Sequence, residues 1–303
     1  MSPAALLNLL GLAAIWGASF LFMRQLVPAI GVMPTAFFRV FLSAVGLVVI
    51  LLALRTRWDF RGKFGRILLI GVISSGIPVL MYSLAARVLP AGYSAIFNAT
   101  TPLMGVLIGS LFFGESLTGS KALGVLLGLA GVAVLTGAGP VPLDAAVLWG
   151  AAACLVATTC YGFAGFITKR WINDQGGLDF GVSALGSQTG ATLCLLPFFL
   201  GTSLDMPLAP LLEPKVALAL AGLGFLCTSF AYVLYFRLLA SIGPLKTMTV
   251  TFLIPLFGVL WGAMLLDESL SWAHLQGGLL IAVALWLVLR PAPLPKVAVE
   301  TAD

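Results

Sequence analysis

Ten runs of about 20 apolar residues, joined by connections too short to fold on their own, constrain this chain to helices that cross a membrane. Each helical residue rises about 1.5 Å, so roughly 20 of them span a hydrocarbon core of roughly 30 Å. The runs lie at about 4–23, 35–54, 66–86, 91–113, 121–138, 146–168, 180–200, 216–238, 245–266 and 272–290. Only 9% of the residues are charged, too few to clothe a water-soluble domain between the runs. Several connections reduce to a Gly-Pro turn, as at Gly139-Pro140 and Gly243-Pro244. The first run has neither a basic leader nor a small-residue cleavage site, so it is expected to be retained as the first helix. Residues 291–303 begin proline-rich and are expected to form a disordered cytoplasmic tail.

The chain also contains its own copy. Pro102, Leu103, Gly105, Val106 and Gly109 recur 153 residues later as Pro255, Leu256, Gly258, Val259 and Gly262. Glu115, Ser116, Leu117 and Gly124 return at the same offset as Glu268, Ser269, Leu270 and Gly277. Tyr82 then aligns with Tyr235, and Trp16-Gly17 through Arg24 matches Tyr161-Gly162 through Lys169 more loosely. Two repeats of five spans thus occupy 1–139 and 140–290. Five is odd, so the second repeat must enter the bilayer from the side opposite to the first. The predicted fold is an all-α integral membrane protein of ten transmembrane helices, built as two inverted five-helix repeats.

Charge sets the orientation, because basic residues are retained on the cytoplasmic side. With the N-terminus inside, the cytoplasmic connections hold Arg55, Arg57, Arg61, Lys63, Arg66, Lys121, Lys169, Arg170, Arg237, Lys246, Arg290 and Lys296. The outer connections hold only Arg24, Arg87 and Lys215. Both termini are therefore expected in the cytoplasm, in a multi-pass protein of the cell's inner membrane. This dispersal also argues against a nucleic-acid partner despite a net charge of +5; the bilayer is the expected macromolecular surrounding. Trp58, Trp149, Trp171 and Trp272 fall near run ends, where an amphipathic ring suits the headgroup layer.

Catalytic chemistry finds no support. His274 is the single histidine, and Cys154, Cys160, Cys194 and Cys227 lie inside runs without metal-type spacing. No nucleophile with its base and no phosphate-binding glycine loop is present, so neither an enzyme nor a cofactor or metal is expected. Inverted repeats are the architecture of many secondary carriers, with the solute site near the midplane between repeats. A transporter of a small molecule is the predicted function, and fusion of both repeats in one chain lets a monomer hold the whole pathway.

The candidate pathway residues are polar or aromatic groups inside runs. Trp16, Arg39, Tyr82 and Asn98 are expected at similar depth in the outer half of the membrane, with Thr101 beside Pro102. Tyr161, Tyr235 and Thr251 form the inverted counterpart in the inner half. Aromatic walls with a few polar groups suit an amphipathic solute, although helix packing alone accounts for any single ring. Arg39 is the one base well inside a run, where a charge costs about 2.5 to 3.5 kcal/mol. Either it grips a substrate carboxylate or it snorkels to the surface and ties down helix-end carbonyls. Gln188 is its neutral counterpart in the second repeat. Pro78, Pro102 and Pro255 remove backbone donors in mid-run and are candidate hinges, with static kinks as the alternative. Gly124, Gly128, Gly131 and Gly71 with Ser75 are read as close-packing positions.

Trp16-Gly17-Ala18-Ser19-Phe20 with Arg24, Phe38-Arg39, the stretch from Ala95 to Pro102, Gly114-Glu115-Ser116-Leu117 and Asp267-Glu268-Ser269-Leu270 together resemble the drug/metabolite transporter superfamily. Within it the chain is similar to the ten-helix EamA-type carriers, and most like YddG-type exporters of aromatic amino acids. The resemblance implies export of aromatic and other neutral amino acids, or of similar small metabolites, by alternating access. The small multidrug relatives carry an essential acid where this chain has Trp16, and no Asp or Glu lies at the centre of a run. Facilitative transport without proton coupling is therefore expected, with proton-driven efflux of drugs or toxic metabolites as the alternative.

Overall fold

The computed structural model describes residues 2–138, 141–203, 207, 209–247 and 249–289. The expected tail at 291–303, the Gly139-Pro140 connection, and Arg290 and Lys296 of the charge pattern lie outside the described residues. Among those described, helices joined by short connections make up the chain and there is no strand.

The main helices are α1 (Pro3–Ile30), α2 (Val32–Ala53), α3 (Phe64–Ala85), α4 (Ala91–Phe112) and α5 (Gly119–Ala138) in the first half. The second half has α6 (Ala145–Trp171), α7 (Phe180–Ser203), α8 (Pro214–Leu238), α9 (Val250–Leu265) and α10 (Trp272–Leu289). The first eight are long and apolar enough to cross a membrane, and the last two are shorter apolar helices. Their starts carry local signals. Ser2 Oγ accepts from the Ala5 amide ahead of Pro3, and Asp144 Oδ1 accepts from the Val147 amide at 2.8 Å. Leu7, Leu111 and Leu218 are each more than two-thirds exposed, an apolar outer surface that only lipid satisfies.

Each expected run coincides with a helix, and the largest difference is α1, which continues past Arg24 to Ile30. Arg24 does not end the helix because its guanidinium has work elsewhere: Nη1 donates to the carbonyls of Ala86 and Arg87, at 2.7 and 3.0 Å. Those are carbonyls left open at the end of α3. Gly31, with φ of 91°, ends α1 in a conformation that a side chain resists.

Two irregularities recur in both halves. α3 widens into a π turn at Val72–Gly76, and α8 does so at Gly222–Phe230. In α8 the hydroxyls of Thr228 and Ser229 follow the wider ladder, donating to the carbonyls of Leu223 and Gly224 five residues back.

The three candidate hinges sit in three different settings. Pro78 is the second residue after the π turn of α3. Pro102 follows a break that divides α4 into Ala91–Asn98 and Thr101–Phe112, whereas Pro255 is inside the continuous helix α9. Pro102 cannot bond the Asn98 carbonyl; the Thr101 hydroxyl does so instead, at 2.7 Å.

Helices that correspond in sequence pack against each other in opposite directions. On α2 and α7, Phe37 stacks on Phe199 while Leu51 approaches Gly181 at the far end. On α5 and α10, Gly124 faces Ala284 and Val288, and Gly131 faces Gly277 and Ile281. A Cβ added at Gly131 or Gly277 would lie 2.8 Å from the other's carbonyl oxygen, so this crossing requires glycine on both sides.

Candidate binding cavity

Between the two halves lies a cavity of about 450 Å³, walled by α1 to α4 and α6 to α9 and not by α5 or α10. Trp16, Arg39, Tyr82, Asn98, Thr101, Tyr161, Tyr235 and Thr251 all line it. The structure thus brings into one wall every residue singled out for a solute pathway. Its volume falls within the roughly 300 to 1,000 Å³ typical of small-molecule sites.

Most of the wall is duplicated. Trp16 faces the cavity as Tyr161 does, Arg39 as Gln188, Tyr82 as Tyr235, Asn98 as Thr251 and Thr101 as Ile254. Ser74, Ser75 and Val79 correspond to Cys227, Thr228 and Tyr232 at the offset of 153, and all six are lining residues. Sequence reasoning missed these six. The signal was present: small polar residues in mid-run at Ser74-Ser75 recur as Cys227-Thr228, on what proves to be the π turn of each half.

The aromatic groups expected at two depths touch one another. The Trp16 ring lies 5.7 Å from Tyr235, and Tyr82 lies 6.4 Å from Tyr161, so each contact joins one residue of each expected depth group. Phe20 packs edge-on to Tyr82 at 5.3 Å, and the Tyr82 hydroxyl donates to Asn98 Oδ1 at 3.1 Å.

The polar groups are unevenly satisfied. Among the described residues Arg39 bonds no helix-end carbonyl; its Nη1 contacts Met23 Sδ at 3.3 Å and its buried Nε has no hydrogen-bond partner. Gln188 is 2% exposed, and its Nε2 donates to Ser75 Oγ at 2.9 Å and to the Tyr232 hydroxyl at 3.4 Å. Its Oε1 is left without a partner. A buried donor and a buried acceptor without partners are costly unless a ligand or water answers them. None of the described lining residues is acidic, so Arg39 has no counter-charge in the wall.

Trp58, Trp149 and Trp272 are well exposed and lie at or near helix ends, with Trp171 the last residue of α6. None lines the cavity. The four cysteines are unpaired, and the described residues hold no cluster of three or more His, Cys, Asp or Glu that could bind a metal.

The model of the EamA-like transporter family matches residues 3–137 and 148–290. The chain is 27% identical over 281 residues to protein PecM of Dickeya dadantii, covering 90% of this chain and 88% of that one. It is 23% identical over 275 residues to a probable terminal-alkyne amino-acid exporter of Streptantibioticus cattleyicolor, covering 91% and 90%. A solved crystal structure superimposes with a TM-score of 0.61 at 17% identity, covering 95% of this chain and 97% of that one, a likeness of fold.

Proposed function

Because the chain belongs to the EamA-like transporter family, we propose that it exports aromatic and other neutral amino acids, or similar small metabolites, by alternating access through the central cavity. It is a membrane transporter and not an enzyme. The observation that carries the reading is an aromatic cavity whose described lining residues include one cation and no acid: Arg39 offers donors to a carboxylate, and the rings of Trp16, Tyr82, Tyr161 and Tyr235 offer faces to an apolar side chain. One relative of similar length is a probable amino-acid exporter, which agrees with that chemistry. A cationic drug would meet Arg39 with no acid to offset it, so the wall favours carboxylate-bearing solutes.

The proposed frame is ten spans in two inverted repeats with both termini cytoplasmic, in the inner membrane. Support comes from the opposed packing of corresponding helices, α2 against α7 and α5 against α10, because a twofold axis along the helices would leave such mates parallel. Pro78, Pro102 and Pro255 are the proposed hinges, and a monomer is the proposed working unit.

Purified protein in liposomes tests the function. Counterflow of labelled neutral amino acids is expected with or without an imposed pH gradient. Uptake that requires the gradient would sink the uncoupled reading, and no movement of any amino acid would move the assignment to drugs. In the same assay Trp16→Ala or Tyr82→Ala is expected to raise KM about tenfold at normal expression, since an aromatic contact contributes about 0.5 to 1.5 kcal/mol beyond its buried area. Unchanged kinetics in both variants would remove these rings from the pathway.

A further inference from the structure

Outside the central cavity, a groove of about 640 Å³ opens between the start of α3, the end of α6 and the short turn Asn173–Gln175. Arg66, Leu69, Arg170, Trp171 and Gln175 line it, and none of them lines the central cavity. Cations gather around it. Segments 55–66 and 169–179 hold Arg55, Arg57, Arg61, Lys63, Arg66, Lys169 and Arg170 against three acids, Asp59, Asp174 and Asp179. Two of those acids are occupied with backbone: Asp59 Oδ1 accepts from the Arg61 amide, and Asp179 Oδ1 from the amides of Gly181 and Val182.

The cations divide by task. Arg61 Nη1 and Lys63 Nζ donate to the carbonyls of Gly176 and Gly177, at 2.9 and 3.0 Å, and so tie the turn after α6 to the start of α3. Arg66 and Arg170 line the groove instead, and both are exposed. Arg66 makes one bond, from Nη1 to Gln175 Oε1, and the Arg170 side chain bonds no described residue. Arg170 stands in the last turn of α6, where a cation offsets the helix dipole; Arg66 stands in the first turn of α3, where a cation opposes it and no acid shares the turn. Two guanidinium groups in one groove repel each other unless an anion lies between them. The flank is apolar. Trp171 packs on the cluster of Ile67, Ile70 and Ile172, and Leu69, three residues on from Arg66 and so on its face of α3, is 48% exposed.

We propose that this groove binds one anionic phospholipid, with Arg66 and Arg170 gripping its phosphate oxygens and an acyl chain lying along Leu69. Charge and apolarity together select the occupant. A soluble anion would use the two arginines alone, whereas a phospholipid uses them and the lipid-facing side of α3 as well. The bound lipid joins α3 of the first repeat to α6 of the second, two helices that both wall the central cavity.

Native mass spectrometry of the full chain, released from detergent with phosphatidylglycerol or phosphatidylethanolamine added, tests the site without knowledge of the transported solute. One phosphatidylglycerol is expected to bind about fivefold tighter than phosphatidylethanolamine, whose ammonium meets the excess of cations. A charge-assisted hydrogen bond contributes about tenfold at its weaker end, so Arg66→Gln combined with Arg170→Gln should weaken phosphatidylglycerol roughly 100-fold. If that pair does not fold, Arg170→Gln alone, which gives up no bond to a described residue, should weaken it about tenfold. Arg55→Gln combined with Arg57→Gln removes the same charge from exposed positions outside the groove and should weaken it less than about threefold. Equal losses in the two pairs would mean diffuse attraction and overturn the site, as would a parent protein that does not prefer phosphatidylglycerol. Glycerol phosphate in excess is expected to leave the lipid bound; its displacement of the lipid would make the groove a site for soluble anions and overturn the assignment.

Discussion

Arg39→Gln is expected to raise the KM for amino acids about 100-fold while the yield of folded protein stays near that of the parent. Hydrogen bonds to a charged group contribute roughly 1.5 to 3 kcal/mol, and a bidentate grip on a carboxylate uses two of them. The Gln amide can keep one of the two, and losing the other corresponds to about 10-fold to 100-fold in affinity, with the upper end expected because no acid among the described lining residues competes for the guanidinium. Folding should tolerate the change, since Arg39 gives up one contact to Met23 Sδ and its Nε is already unpaired. Removing a charge from a membrane-embedded site lowers its desolvation cost, by about 2.5 to 3.5 kcal/mol on the insertion scale. A decarboxylated amine of the same side chain provides the control and should distinguish the two proteins little. Arg39→Lys should be intermediate, keeping the charge without the planar fork. An unchanged KM would free Arg39 of any substrate contact, and loss of folded protein would make it a structural residue.

The helices and the cavity were legible in the sequence for different reasons. Helix positions follow from hydrocarbon thickness, which fixes run length, so α2 through α7 lie within about a turn of their expected limits. The cavity residues were legible because an aromatic or polar group in mid-run needs an explanation in lipid, as with Arg39, Asn98 and Thr251. The π turns were not, because a hydrogen-bond ladder that widens at Val72–Gly76 is set by packing and leaves no mark on residue type beyond small polar side chains. Gln188 was identified as the counterpart of Arg39, yet its burial and its open Oε1 depend on where Ser75 and Tyr232 reach it. The contact between the two expected depth groups was not legible, because the Trp16 ring reaches Tyr235 at 5.7 Å from positions that spacing along the helices treats as separate. Likewise the prolines looked equivalent from spacing alone, whereas the break at Ala99 and Thr100 precedes Pro102 and the helix around Pro255 is continuous.

Gly71→Ala is expected to cost about 3 kcal/mol or more and to deplete folded protein sharply, although the change adds one methyl group far from any charge. α3 and α7 cross with backbone against backbone: a Cβ at Gly71 would overlap the main chain of Ser187, and one at Gly190 would overlap that of Leu68. A side chain in the way could rotate, but a main-chain carbonyl moves only with its helix, so the whole crossing must open. Overpacking of a tight interior typically costs about 1 to 3 kcal/mol even where side chains yield, and here they cannot. Separation would also loosen the Ser74 to Ser187 contact at 3.0 Å and the Gln188 to Ser75 bond, both on the cavity wall or behind it. The effect belongs to position and not to glycine as such. Gly165, exposed on α6 with nothing within 4 Å of an added Cβ, should accept alanine with a gain of roughly 0.5 to 1 kcal/mol. Gly71→Ala and Gly190→Ala combined should cost much less than the sum of the two, because helices moved apart for one methyl have already made room for the other. Thermal unfolding of the four proteins in detergent decides the matter. Additive losses would mean that the two glycines do not share one crossing, and a neutral Gly71→Ala would mean that the helices are not in backbone contact.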